Sequence, residues 1–104
     1  MTKRKRSQRR ADEREQEKLA RDVDRLFALS PGGSPERPLR IDSPAEVEVV
    51  ARGTRCPRCQ GELDLKEHAA ETIGKARLRV ARLACTFCRA PRVLYFELSQ
   101  SLLN

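Results

Sequence analysis

The chain has few of the residues that build large cores. Its 104 residues include no tryptophan, one tyrosine and three phenylalanines, and its 38% hydrophobic content barely exceeds its 36% charged content. A chain of this size and composition cannot bury enough apolar surface to form an extensive core. We therefore expect one small domain whose fold depends on an additional cross-link.

Long apolar segments are also missing. No run approaches the roughly 18 apolar residues that cross a bilayer. The first ten residues are basic, but no apolar stretch of about 7–15 residues follows them, as a secretory signal would require. We expect a soluble cytoplasmic protein without a membrane partner, in a reducing compartment.

Signs of catalysis are absent too. No glycine-rich phosphate loop and no nucleophile constellation can be recognised, and His68 is the only histidine. His68 could replace a cysteine as a metal ligand or act as a base, but no motif places a carboxylate beside it. We expect no enzymatic activity.

All four cysteines occur in two Cys-x-x-Cys pairs, Cys56/Cys59 and Cys85/Cys88. Two such turns facing each other supply the tetrahedral sulfur shell that Zn²⁺ prefers. Structural disulfides and thiol redox chemistry are the alternatives, and a reducing compartment disfavours the first. Because four thiolates leave no open position for water, we expect one structural zinc per chain and no zinc catalysis.

Two segments precede the cysteines. Residues 1–10 are predicted to be a disordered basic arm, since they combine positive charge with little apolar surface. Residues 11–29 are predicted to be an amphipathic helix, because apolar residues recur at helical spacing. The basic residues of the arm are Lys3, Arg4, Lys5, Arg6, Arg9 and Arg10, and the apolar face of the helix consists of Leu19, Val23, Leu26 and Phe27.

Proline and glycine then interrupt the chain, so residues 30–44 are predicted to be an extended linker. Residues 45–52 are predicted to be a strand, since Val47, Val49 and Ala51 alternate with acids and only Val50 departs from the pattern. Alternation also predicts strands at 63–66, 77–80 and 93–98, with Phe96 in the core beside Leu94. Residues 99–104 are predicted to be a short tail.

The order of knuckle, hairpin, strand, knuckle and strand over residues 45–98 resembles the zinc-ribbon family. Cys56-Pro57-Arg58-Cys59 matches that family's usual first knuckle, whereas Gln60 stands where a glycine commonly follows, and the second knuckle has no glycine. The resemblance implies a small zinc-stabilised β domain with three antiparallel strands. It also implies that Cys56, Cys59, Cys85 and Cys88 are the metal ligands.

Arginines surround the predicted site and continue along the strand before Cys85. Arg55, Arg58 and Arg89 flank the cysteines and either offset the thiolate charge or contact phosphate. Arg77 and Arg79 are predicted to form an exposed basic stripe opposite Leu78 and Val80, which Arg92 and Lys75 would extend.

Two functions are compatible with these surfaces. The first is binding of nucleic acid, or of a nucleic-acid machine, through the basic arm, Arg77 and Arg79. Phe87 at the knuckle tip would either stack on a partner or cover the metal. The second is a protein-interaction adaptor that docks through Leu19, Val23, Leu26 and Phe27. A redox switch that releases zinc is a third, weaker possibility.

Overall fold

The computed structural model describes residues 5–99 and contains one sheet of four strands, rather than the three that the sequence predicts. In chain order the elements are helix α1 (Arg6–Leu29), strand β1 (Leu39–Ile41), helix α2 (Ala45–Gly53) and strands β2 (Leu63–Ile73), β3 (Ala76–Cys85) and β4 (Pro91–Leu98). The strand order is β1-β4-β3-β2. Strands β2, β3 and β4 form an antiparallel meander, and β1 pairs in parallel with β4.

Helix α1 begins earlier than expected. It starts at Arg6, so Arg6, Arg9 and Arg10 lie in its first turns and not in a disordered arm. Lys3 and Arg4 lie outside the described residues. The helix ends after Leu29, where the Ser30 hydroxyl donates to the carbonyl of Leu26 at 2.9 Å. None of its residues is fully buried.

The prediction of a strand at residues 45–52 is wrong, because this segment is helix α2. Val47, Val50 and Ala51 have the spacing of one helical face, and Val47 and Ala51 are buried while Val49 is 71% exposed. The Glu46 carboxylate accepts the backbone N–H groups of Asp42 and Ser43. These contacts are one half of a capping box, in which an acid in the first turn of a helix satisfies amides at its start.

The segment predicted as a linker is held against the sheet. Strand β1 places Leu39 opposite Phe96 of β4. Before it, Gly32 has a positive φ of 84° and its N–H donates to the carbonyl of Arg37 at 2.6 Å. The carbonyl of Gly32 accepts the N–H of Tyr95 at 2.8 Å, which fastens this turn to the edge of β4.

The core lies between α2 and one face of the sheet. Its buried members are Ile41, Val47, Ala51, Cys56, Leu63, Ala81, Leu83, Cys85, Leu94 and Phe96. Phe96 is 0% exposed and Leu94 is 2% exposed, which confirms the prediction that both belong to the core.

A β-bulge in β2 sets which side chains face this core. Leu65 pairs with Leu83 and Glu67 with Arg82, so Lys66 is an extra residue. Since side chains alternate between the faces of a strand, the extra residue shifts the phase of β2. Leu65 therefore faces the core before the bulge, and His68 takes the same face after it.

The strands predicted at 63–66, 77–80 and 93–98 all exist, and β2 and β3 extend well beyond the predicted bounds. Of the predicted tail, residues 100–104 lie outside the described part of the chain. Within residues 5–99, neither helix is long and apolar enough to cross a membrane.

Candidate metal centre

Each cysteine pair lies in a six-residue turn, and the two turns have the same hydrogen bonds. In the first, the N–H of Cys56 donates to the carbonyl of Gly61 at 2.9 Å, and the N–H of Gln60 donates to the carbonyl of Cys56 at 2.8 Å. In the second, the N–H of Cys85 donates to Ala90 and the N–H of Arg89 donates to Cys85, both at 3.0 Å. The two knuckles are thus equivalent structures.

Each knuckle also contains one residue in the left-handed region. Gln60 has a φ of 65° and Arg89 a φ of 63°. A residue with a side chain is destabilised there by about 1–2 kcal/mol, which explains why glycine is commonly found after a first knuckle. The knuckle geometry is therefore retained although neither residue is glycine.

The two knuckles bring the four sulfurs together. All four Sγ atoms lie within 4.8 Å of one another. The Sγ atoms of Cys56 and Cys88 are 3.7 Å apart and those of Cys59 and Cys85 are 3.3 Å apart, and all four cysteines are free. A tetrahedral site with Zn–S bonds of about 2.3 Å separates its sulfurs by about 3.8 Å. The cluster therefore has the size that holds one metal ion.

Backbone amides stabilise negative charge on these sulfurs. The N–H groups of Phe87 and Cys88 lie 3.3 and 3.4 Å from Sγ of Cys85. The amide of Cys88, with that of Phe87, lowers the pKa of Cys85 to about 6. The hydrogen bond with Cys85 raises the pKa of Cys59 to about 11.

Burial raises the pKa of Cys56, but the amides of Cys59 and Arg58 outweigh it and the net direction is downward. Both knuckles therefore direct N–H groups at sulfur, as the charge of a tetrathiolate site requires.

Gly61 leaves room for the sulfurs. A Cβ atom at this position would lie 2.9 Å from Sγ of Cys85 and 3.2 Å from Sγ of Cys59. It would also lie 3.1 Å from Cβ of Phe87. A residue without a side chain is therefore needed where the first knuckle passes the second.

His68 lies outside the sulfur cluster. Its Nε2 accepts a hydrogen bond from Nε of Arg79 at 3.2 Å, which requires the neutral ring. Burial, and then the charge of Arg79, lower the pKa of His68. This histidine serves as an acceptor within the sheet.

Two of the three arginines beside the cysteines pair with carboxylates. Arg58 donates to Asp24 of α1 through Nε at 3.2 Å and Nη2 at 2.5 Å. Arg55 lies 3.7 Å from Glu62. Arg89 is exposed and forms no ion pair with another described residue.

The predicted basic stripe is only partly present. Arg77 is exposed, but Arg79 is half-buried and donates to His68. Both lie opposite Leu78, as predicted, yet they share their face of β3 with the core residues Ala81 and Leu83. They lie towards the hairpin end of the strand, away from the cysteines.

Arg92 does not extend the stripe. Its side chain is 8% exposed on the core face of β4, and its Nη2 donates to Asp24 at 2.6 Å. Its guanidinium carbon lies 5.4 Å from the centre of the Phe27 ring. The sequence contained a signal for the burial of Arg92, because Arg92 alternates with the core residues Leu94 and Phe96 and so lies on their face of the strand.

Phe87 is 82% exposed at the tip of the second knuckle, so it does not cover the sulfurs. Arg77 lies near the opposite end of β3, about 26 Å from Cys85 at the rise of an extended strand. The structure therefore does not bring the predicted binding residues into one compact site.

Comparisons of the chain with protein-family models, curated proteins and solved structures found no match.

Proposed function

We propose that the four cysteines bind one structural Zn²⁺ and that the chain is a non-enzymatic, ribbon-like binding protein. Thiolate ligands select zinc or iron–sulfur clusters over hard cations. Four protein ligands leave no position for a water molecule or a substrate. When bound, the ion would connect the two knuckles and hold the cysteine ends of β2, β3 and β4 together.

Metal analysis tests this part directly. Native mass spectrometry is expected to find one zinc ion per chain, and cadmium or cobalt would replace it in the same ratio. Chelation is expected to unfold the sheet, because such sites supply roughly 10–16 kcal/mol of apparent binding free energy. A metal-free chain with an unchanged fold would contradict the proposal, as would an iron–sulfur absorption spectrum.

We propose further that this protein binds nucleic acid, and that the N-terminal turns of α1 make the main phosphate contacts. The observation that carries the proposal is the charge of these turns. Lys5, Arg6, Arg9 and Arg10 are exposed, and none forms an ion pair with another described residue. The first turn contains no acid, and the N-cap residue Lys5 gives no side-chain hydrogen bond.

This arrangement is unfavourable for an isolated helix. The N-terminal end of a helix carries a partial positive charge, and each cation there destabilises it by about 0.3–1 kcal/mol. A phosphate backbone would remove this repulsion and would accept hydrogen bonds from the free N–H groups. Arg77 and the exposed Phe87 would add a cationic contact and an aromatic surface for a base.

The experiment measures affinity for single-stranded and duplex oligonucleotides by fluorescence anisotropy at several salt concentrations. Replacing Arg6, Arg9 and Arg10 by glutamine keeps helix propensity and removes three charges. The slope of log affinity against log salt is expected to become shallower by about 0.7–0.9 for each phosphate that the variant no longer neutralises. Neutralising Lys18, Arg21 and Arg25 by the same substitution is the matched control, because it removes three charges from the same helix.

Equal effects of the two triple variants would contradict a site at the N-terminal turns. Binding that does not depend on salt would contradict a phosphate contact altogether.

A protein-interaction adaptor is the second candidate, and one observation favours it. Leu19 is 57% and Leu26 66% exposed, so part of the apolar face of α1 is left uncovered by residues 5–99. Changing both to glutamine would weaken capture of a protein partner, with little dependence on salt. The same change would leave oligonucleotide affinity within about twofold of the parent chain, which separates the two candidates.

A further inference from the structure

Helix α1 is attached to the sheet and the first knuckle near its C-terminal end, where Asp24 accepts ion pairs from two arginines and Phe27 packs against the core. No residue of the helix is fully buried. Asp24 accepts hydrogen bonds from Arg58 in the first knuckle and from Arg92 in β4. Phe27, one turn later, lies under the guanidinium of Arg92. We call Asp24, Phe27, Arg58 and Arg92 the helix joint.

Arg58 belongs to the joint and to the metal centre at once. It lies between Cys56 and Cys59, and its backbone amide helps to lower the pKa of Cys56. Its side chain donates to Asp24 of α1. The space between it and α1 is a cavity of about 220 Å³ that Leu19, Ala20 and Val23 also line. The conformation of the first knuckle therefore determines whether Arg58 can reach the helix.

Arg92 gives the joint its strength. Its guanidinium is nearly buried, and its Nε has no hydrogen-bond partner among the described residues. Asp24 is the one carboxylate within ion-pair distance of it in that part of the chain. A buried cation that loses its carboxylate is strongly unfavourable, so Asp24 is held where both arginines reach it. The two arginines hold the pKa of Asp24 below its usual range, the hydrogen bond from Arg58 contributing most.

We propose that metal binding and the docking of α1 are coupled through the contact between Arg58 and Asp24. The metal orders the knuckle that presents Arg58, and the docked helix in turn holds that knuckle in its metal-binding conformation. Such coupling is reciprocal, so docking raises metal affinity by the same factor by which metal favours docking. The proposal rests on the proposed zinc site and adds that the metal state sets the position of the cationic helix.

The test uses the full chain and two readouts. Metal affinity is measured by competition with a chromophoric chelator, and the order of α1 is measured by ¹⁵N relaxation of the amides of residues 16–27. In the zinc-loaded chain, Asp24→Asn is expected to lower the order of these amides. It is also expected to weaken zinc binding by about fivefold or more, the lower end of typical coupling. Asp22→Asn is the matched control on the same helix and should change neither readout.

A second pair of variants approaches the contact from the knuckle. Arg58→Gln should reproduce both effects of Asp24→Asn, while Arg55→Gln, which removes a flanking arginine outside the joint, should not. This pair keeps the proposal testable if Asp24→Asn fails to fold with Arg92 unpaired.

The outcomes are distinguishable. If the variants free the helix but leave zinc affinity equal to that of their controls, the coupling is refuted. If the backbone order of α1 does not change in the variants, the helix joint does not hold the helix against the rest of the molecule. A parent chain that binds no metal would refute the zinc site together with the coupling, and native mass spectrometry of that chain identifies this case.

Discussion

Replacing Gly61 by alanine should weaken metal binding specifically. The added methyl group would lie 2.9 Å from Sγ of Cys85 and 3.2 Å from Sγ of Cys59. Contacts under 3.0 Å require a shift of one of the atoms, and both sulfurs are already positioned by their knuckles. Gly61 does not have a positive φ, so alanine adds no backbone strain and the effect is steric.

The expected size follows from overpacking. Inserting one methyl group into a close-packed site typically destabilises it by about 1–3 kcal/mol. Each 1.4 kcal/mol corresponds to a tenfold change in a binding constant, so zinc affinity should fall by roughly 5- to 150-fold. Gly53→Ala is the matched control, because Gly53 ends α2 and nothing lies within 4 Å of the position of its Cβ. That change should be neutral or stabilise the chain by up to about 1 kcal/mol.

The assay is a competition titration of both variants with a chelator of known affinity, followed by thermal unfolding of the zinc-loaded and chelator-treated proteins. Gly61→Ala should lower the unfolding temperature of the loaded form. Equal zinc affinity of Gly61→Ala and Gly53→Ala would refute the close approach of the two knuckles.

Two further predictions concern the sheet domain. Val47→Ala should lower the free energy of unfolding by about 2 kcal/mol and Val49→Ala by less than about 0.5 kcal/mol, because Val47 is 0% and Val49 71% exposed. Denaturant unfolding measures both values. Equal losses of stability in the two variants would contradict helix α2 and favour a strand at this position. His68→Gln should keep an acceptor for Arg79 but abolish the dependence of stability on protonation of this ring. Because burial lowers the pKa of His68 from its ordinary 6.5, the unfolded chain binds more protons, so the parent chain should lose stability relative to the variant as pH falls below about 6.5. Parallel pH profiles of the two proteins would contradict this.

The cysteine cluster was predictable because Cys-x-x-Cys spacing is a local signal. Each pair fixes one turn, and two turns with four sulfurs have few other stable arrangements in a reducing environment. Gln60 and Arg89 stand at positions where glycine would be favoured, yet the knuckles keep their conformation. A side chain in the left-handed region raises the free energy of that conformation but does not prevent it. The strands from Leu63 to Leu98 were predictable for a similar reason, because their alternation is carried by neighbouring residues.

Helix α2 was missed although its signals were present. Val50 broke the alternation of the predicted strand and matched the helical spacing from Val47. Ser43 followed by Glu46 has the spacing of a capping box. The short length of the segment allowed both interpretations, and packing against β2 decided between them.

Strand β1 and the helix joint depend on contacts between residues far apart in the chain. Leu39 pairs with Phe96, and Asp24 pairs with Arg92, at separations that no local pattern encodes. Only the burial of Arg92 could have been read from the sequence, through its alternation with Leu94.

The bulge at Lys66 has a consequence for aggregation. Strand β2 is one of the two outer strands of the sheet and, at 11 residues, its longest. No described residue adds a further strand to its outer edge, which is therefore a template on which another chain could add a strand. The extra residue breaks the regular spacing of free N–H and C=O groups on that edge, and Lys66 adds a charge at the break. A regular strand from another chain could form continuous hydrogen bonds with this edge on only one side of Lys66. Deleting Lys66 would therefore remove both protections, although Glu67 and His68 could keep their partners Arg82 and Ala81 on β3 and their faces of the sheet.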